Sequence, residues 1–170
     1  MFKHLPIFIA AIAFTGACFA QGQIQSRTTI SFSDGTSCTG TPVGPPTFAA
    51  LSASVNAKLT TNGSGGATGR IAFEDVVLTR TVDNCSVSLF GLFFRTQRIR
   101  SVTISFENLI NGLFKEDLKI TLSDAIISSI SDTGTAAASP QEKVSLSFQK
   151  ITIYDPQTGQ TTSFDLLTNR

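Results

Sequence analysis

The sequence contains no tryptophan and only one tyrosine, one methionine and one histidine in 170 residues. The methionine and the histidine, Met1 and His4, lie in a segment that reads as an export leader, so the exported chain would carry no imidazole. Ser–His and Cys–His nucleophile pairs, imidazole zinc sites and haem ligation through histidine fall away together. An enzyme is therefore not expected, and neither is a metal or organic cofactor. Charge is also scarce, at 15% of residues, with thirteen Lys and Arg against twelve Asp and Glu for a formal charge of +1. So even a balance offers no electrostatic footing for nucleic acid or an anionic membrane. Low charge does not mean disorder here, because 41% of the residues are hydrophobic and the length suits one domain with one core.

What is present begins with Lys3 and His4, then an apolar run from Leu5 to Phe14 and small residues up to Ala20. That three-part layout predicts a secretory signal peptide over residues 1–20, cut after Ala20, and a single domain over 21–170. The run is short of the ~20 residues that span a bilayer, so no stable membrane insertion is expected. The alternatives are a retained anchor, or lipidation at Cys18. Export would place the protein in the periplasm or outside the cell. Removing the leader removes Cys18 and leaves Cys38 and Cys85, an even pair in an oxidising compartment, which predicts a disulfide. Two independent thiols are the alternative, because sequence alone gives no Cα separation.

Alternation dominates the remainder. Ile30 and Phe32 mark a first strand, and Ser33 to Thr47 has loop chemistry. Leu51, Ala53, Val55, Ala57 and Leu59 alternate with polar residues as one half-buried strand, followed by a glycine-rich loop over Thr60 to Gly69. Ile71 to Arg80 reads as a further strand. Between Thr81 and Thr96 the period changes: Val87, Phe90 and Phe94, like Leu89 and Phe93, fall at helical spacing behind Asp83 as N-cap. This helix is apolar nearly all round, so either the body of the protein or a second subunit must cover it. Strands resume with Val102, Ile104 and Phe106. Leu118, Ile120 and Leu122 follow, with Ile126 and Ile130 in the same phase, and then a loop over Thr133 to Pro140. Val144, Leu146 and Phe148 change parity to Ile151 and Ile153, which predicts a β-bulge at Gln149-Lys150. Phe164 and Leu166 belong to a last strand. Many amphipathic strands and one helix predict a mainly β fold, a small antiparallel β-barrel with one α-helix.

Motifs that could carry chemistry read as structural. Glu74-Asp75 and Glu116-Asp117 are neighbours on strands, so their side chains point to opposite faces and cannot flank one bond. Gly63 to Arg70 departs from the phosphate-loop pattern at Ser64, Arg70 and Ile71. Asp132 and Asp155 each offer a single carboxylate in turn-like surroundings, too few for calcium. Arg95, Arg98 and Arg100 form the one basic cluster, and it lacks the interleaved aromatics of a nucleic-acid site. A subunit interface or a helix C-terminal role suits Arg95 and Arg98 better.

The run Gly69-Arg-Ile-Ala-Phe73-Glu-Asp75-Val-Val-Leu78-Thr79-Arg80-Thr-Val82-Asp83 resembles the haemolysin-coregulated protein (Hcp) family of type VI secretion. Leu118 to Ser131, Glu142 to Ile151 with Tyr154, and Phe164-Asp165-Leu166 with Asn169 are similar to its later strands in the same order. The resemblance implies a β-barrel with one helix, a homohexameric ring, rings stacked into a propelled tube, and secretion-tip or effector proteins as partners. It also offers Leu89, Leu92 and Phe93 a place under a neighbouring protomer, beside Arg95 and Arg98. A leader departs from the family, whose tube subunits leave through the machine itself. The competing expectation is a monomeric secreted barrel or sandwich that binds a glycan or peptide through the loops at Thr60–Gly69 and Thr133–Pro140.

Overall fold

Alternating apolar residues can bury one face only if the strands find partners on both edges, and the order of pairing shows how this chain does so. The computed structural model describes residues 26–33, 47–60, 70–136 and 138–168. In chain order these form β1 (Ser26–Phe32), β2 (Thr47–Ala50), β3 (Ser52–Ser54), β4 (Ala57–Thr60), β5 (Arg70–Phe73), β6 (Val76–Thr81), the helix α1 (Cys85–Phe94), β7 (Ile99–Ile110), β8 (Leu113–Thr135), β9 (Ala138–Ser147), β10 (Lys150–Tyr154) and β11 (Thr161–Asp165). All pairings are antiparallel, in the order β2-β1-β7-β8-β9-β6-β3. β2 and β3 are successive pieces of one segment, so the same stretch of chain stands at both ends of that order. The Leu51 amide donates to the Thr79 carbonyl at 2.7 Å as the segment changes partner from β1 to β6. This shared segment turns an open sheet into the expected small barrel.

The core is the inward face of those strands, with Ile30, Phe32, Val76, Leu78, Val102, Ile104, Leu122, Val144, Leu146 and Ile151 all buried. Leu89 and Leu92 of α1 belong to the same cluster. Hairpin β10–β11 extends the sheet beside β8, and β4–β5 is a separate two-stranded unit.

Four expectations are corrected here. The segment from Leu51 to Leu59 is not one strand but two short ones with different partners, β3 on β6 and β4 on β5. Ala53 and Val55 pack on the core, but Leu51 and Leu59 are 60% and 63% exposed. Ile71 to Arg80 is broken at Glu74-Asp75, where the chain leaves the small hairpin for the barrel wall. The stretch from Thr133 to Pro140 is largely strand, the narrowing end of the β8–β9 hairpin. At Phe148-Gln149 the parity does change, but no single residue is inserted. Ser147 lies opposite Ile126 and Lys150 opposite Ser123, so the register is kept across the break. The partner strand changes parity at the same level, through Asp124 with φ 52. Leu122 and then Ala125 and Ile127 point inward, so Ile126 does not. A bulge at Ser128 resets the phase, and Ile130 again packs against the core.

Candidate functional site

The surface that stands out is built around α1. Its entry is fixed by a buried ionic cluster. Arg80 is the penultimate residue of β6 and Glu142 lies directly across the ladder on β9, 1% and 0% exposed. The Arg80 Nη1 donates to Glu142 Oε2 at 2.8 Å and to the Ser86 hydroxyl at 3.4 Å, while Nη2 donates to Asp83 Oδ1. The guanidinium also lies 4.7 Å from the ring centroid of Phe48 in β2. One side chain therefore ties the barrel's closing segment, two wall strands and the helix start together. Burial opposes the Arg80 charge, but the Asp83 and Glu142 carboxylates outweigh it and its pKa is raised. Burial likewise opposes ionisation of Asp83; the Arg80 guanidinium and the Cys85 amide prevail and lower its pKa.

Asp83 was expected as the N-cap. It does cap the helix, from one residue before the boundary at Asn84: its Oδ1 accepts the Cys85 amide at 2.7 Å, and its own amide donates to the Ser86 hydroxyl at 3.3 Å. The C-terminus closes with the amides of Thr96 and Gln97 on the carbonyls of Phe93 and Leu92, a Schellman arrangement. Thr96 occupies the left-handed position, at φ 48, where glycine is usual. The Arg95 Nε adds a bond to the Gly91 carbonyl at 3.0 Å.

With both ends fixed, the helix buries one stripe and exposes another. Leu89 and Leu92 are 0% and 2% exposed inside their own barrel. They are not available to a neighbour, which corrects their expected place under one. Phe93 is half-buried against the core, and Arg95 and Arg98 are exposed, Arg98 lying 3.9 Å from Asp124. The outward apolar side chains are instead Val87, 78% exposed, and Phe94, 75% exposed, with the half-buried Phe90 ring 5.7 Å from that of Phe94. The sequence period had flagged these three residues; what it lacked was the direction of the core. Cys85 is buried at the helix start, and its candidate disulfide partner Cys38 lies outside the described residues, as do the leader and the loop from 61 to 69.

The paired carboxylates are each engaged within the chain: Glu74 by Lys58 at 2.6 Å, Asp75 by Ser128, Glu116 by Ser105 and Lys119, Asp117 by Asn108 and Gln157. Asp155 is a turn-former, its carboxylate accepting the Gln157 amide at 2.8 Å and the Thr158 hydroxyl at 2.7 Å. Among the described residues no group of three His, Cys, Asp or Glu side chains could hold a metal ion, and no helix is long and apolar enough to cross a membrane.

Known proteins supply the context. No curated protein matches the sequence. The fold is shared with the solved structure of Hcp1 from Salmonella typhimurium, at 17% identity, 86% of this chain, 99% of that chain and a TM-score of 0.69. It is likewise shared with Hcp1 from E. coli EAEC 042, at 16% identity, 84% and 99% coverage and a TM-score of 0.69. A third, the secreted protein Hcp3 from Pseudomonas aeruginosa, gives 18% identity, 83% and 97% coverage and a TM-score of 0.61. Residues 48–154, which run from the barrel's closing segment through the helix to β10, match the family model described as type VI secretion system effector, Hcp. The chain belongs to the Hcp family of type VI secretion.

Proposed function

We propose that this protein is an exported structural subunit that assembles into homohexameric rings, with the rings stacking into tubes. The observation that carries the reading is the unpartnered helix face of Val87, Phe90 and Phe94, rigidly presented on a family barrel. A monomer that left two large side chains three-quarters bare would gain by covering them with a second copy. Arg95 and Arg98 border that face and supply polar contacts at its rim. The protein works by shape, as a wall, and takes effector or tip proteins as partners, not a small substrate. The Thr133–Pro140 segment, expected as a ligand-binding loop, is strand over Thr133–Thr135 and Ala138–Pro140, which weighs against the monomeric binding module.

Residues 1–20 act as a removable leader in this reading, and Cys38 bridges Cys85 after export. Multi-angle light scattering on the secreted protein tests assembly: a mass six times that of the subunit is expected, and Val87→Asp with Phe94→Asp should abolish it. A stable monomer at high concentration would sink the proposal. Intact mass should begin at Gln21 and show no alkylation of cysteine until a reductant is added.

A further inference from the structure

The β7–β8 hairpin has a tip of unusual composition. Tight hairpins ordinarily end in polar residues, but Leu109-Ile-Asn-Gly-Leu-Phe114 contains no charge. Ile110 lies directly opposite Leu113 across the turn, so both side chains leave one face, 39% and 69% exposed. Asn111 and Gly112, at φ 52 and 78, form the two-residue turn between them. That turn matches the twist of the strands and holds the aliphatic pair as a rigid knob.

Elsewhere on the same chain is a groove of about 200 Å³ between hairpins β4–β5 and β10–β11. Ile71, Phe73, Ile153 and Phe164 line it, Thr162 and Ser163 stand at its rim, and among the described residues no charged side chain contributes. The rings of Phe73 and Phe164 are 5.4 Å apart, and Ile71 is 40% exposed. The knob cannot enter its own groove. Ile153 is held opposite Ile120 on β8, and Leu113 lies seven residues further along that strand (120 minus 113), about 23 Å away at ~3.3 Å per residue.

We propose that the Ile110–Leu113 knob of one copy seats in the Ile71/Phe73/Ile153/Phe164 groove of a second copy. Knob and groove occupy different places on one chain, so the contact is head-to-tail: it propagates or closes a ring, and does not stop at a two-fold pair. It is separate from the helix face. A lipid surface is the other environment that would accept an aliphatic tip. The charged side chains behind the tip cancel, Glu107, Glu116 and Asp117 against Arg27, Lys115 and Lys119, so they give no attraction to anionic lipid. A matching groove is a feature that lipid insertion would not need.

The test exploits the asymmetry. Leu113→Asp removes the knob, and Thr162→Arg, at an exposed rim position, blocks the groove. Each is made in the full chain and, separately, in the Val87→Asp/Phe94→Asp background that lacks the helix-face contact. Sedimentation velocity should show each variant needing about tenfold more protein, or more, for half-assembly. In the background, each should be monomeric alone while an equimolar mixture forms heterodimers, because one intact knob meets one intact groove. Ile110→Ser repeats the measurement should Leu113→Asp disturb the turn. Assembly equal to that of the parent, or a mixture no different from its components, would overturn the proposal. So would binding to phosphatidylcholine–phosphatidylglycerol vesicles that Leu113→Asp abolishes. Loss of assembly in the Val87/Phe94 variant alone, with Leu113→Asp and Thr162→Arg assembling as the parent does, would support the helix face and overturn this contact, and the reverse pattern would do the opposite.

Discussion

Replacing Arg80 by Met should be among the most damaging single changes in the barrel wall. The substitution keeps an unbranched side chain but strands the Glu142 carboxylate, which has 0% exposure, opposite an apolar atom. Breaking a buried pair from one side costs about 3–5 kcal/mol, because the remaining charge has neither water nor partner. Loss of the Phe48 ring contact, 4.7 Å from the guanidinium, adds roughly 0.5–2 kcal/mol. Against a total stability on the order of 5–15 kcal/mol, the variant should be marginal. Glu142→Gln, which keeps the shape and leaves Arg80 its bond to Asp83, should cost less, about 1–3 kcal/mol. The double variant Arg80→Met/Glu142→Leu should recover most of the loss, since apolar replacement of a buried pair is often neutral or better. Among the described residues, Arg80 Nε and Glu142 Oε1 have no hydrogen-bond partner even in the native protein, which favours that recovery. Urea unfolding followed by far-ultraviolet circular dichroism is the suitable assay, because the chain has no tryptophan. It should be run at one protein concentration, since assembly shifts apparent stability. An Arg80→Met variant within 1 kcal/mol of the parent, or a double variant worse than both singles, would refute the argument that this pair is dry and mutually dependent.

Asp83 has a lowered pKa in the folded protein, so its stabilisation is present above its unfolded value, about 3.9, and is lost as pH falls through the folded one. Asp83→Asn should therefore be less stable at neutral pH and converge with the parent only as pH falls below the lowered pKa of the folded Asp83 carboxyl, as read from urea midpoints across pH. Thr96→Gly, at φ 48 on the helix C-terminus, should stabilise by roughly 1 kcal/mol by relieving a β-branched residue in the left-handed region; a destabilised variant would refute the strain. Gly112→Ala, at φ 78 with open space around it, should destabilise by about 1 kcal/mol, whereas Gly134→Ala, with no positive φ and no neighbour within 4 Å, should not. Leu89→Ala should cost about 2–5 kcal/mol of subunit stability, while Val87→Ala should leave the subunit unchanged and weaken only assembly. Equal effects of the two in unfolding and light scattering would erase the distinction between the helix's two faces.

Much of the barrel was legible because alternation is a local property. Ile30 with Phe32, Val102 with Ile104 and Val144 with Leu146 need only a two-residue period to declare an inward face, and all are buried. The helix declared itself in the same way, through spacing and an aspartate before it. The corner at Asp124 and Phe148 was only half legible. The apolar residues change parity visibly after Phe148, but on the partner strand Ile126 sits in the older phase, and nothing short of the pairing shows that both strands turn together. The Asn111-Gly112 turn was a signal available in the sequence but absent from the strand assignment, and it sets the hairpin that carries Ile110 and Leu113.

Composition and period by themselves determined the class of fold and the place of the helix α1, since these depend on residue type and near neighbours. Only the tertiary structure decided which side of an all-apolar helix faces inward, that one short segment closes the barrel by serving two partners, and that Arg80 and Glu142 meet in its wall. Those outcomes depend on which distant strands pair, and pairing is chosen by the burial of the whole core, a quantity that no stretch of ten residues contains.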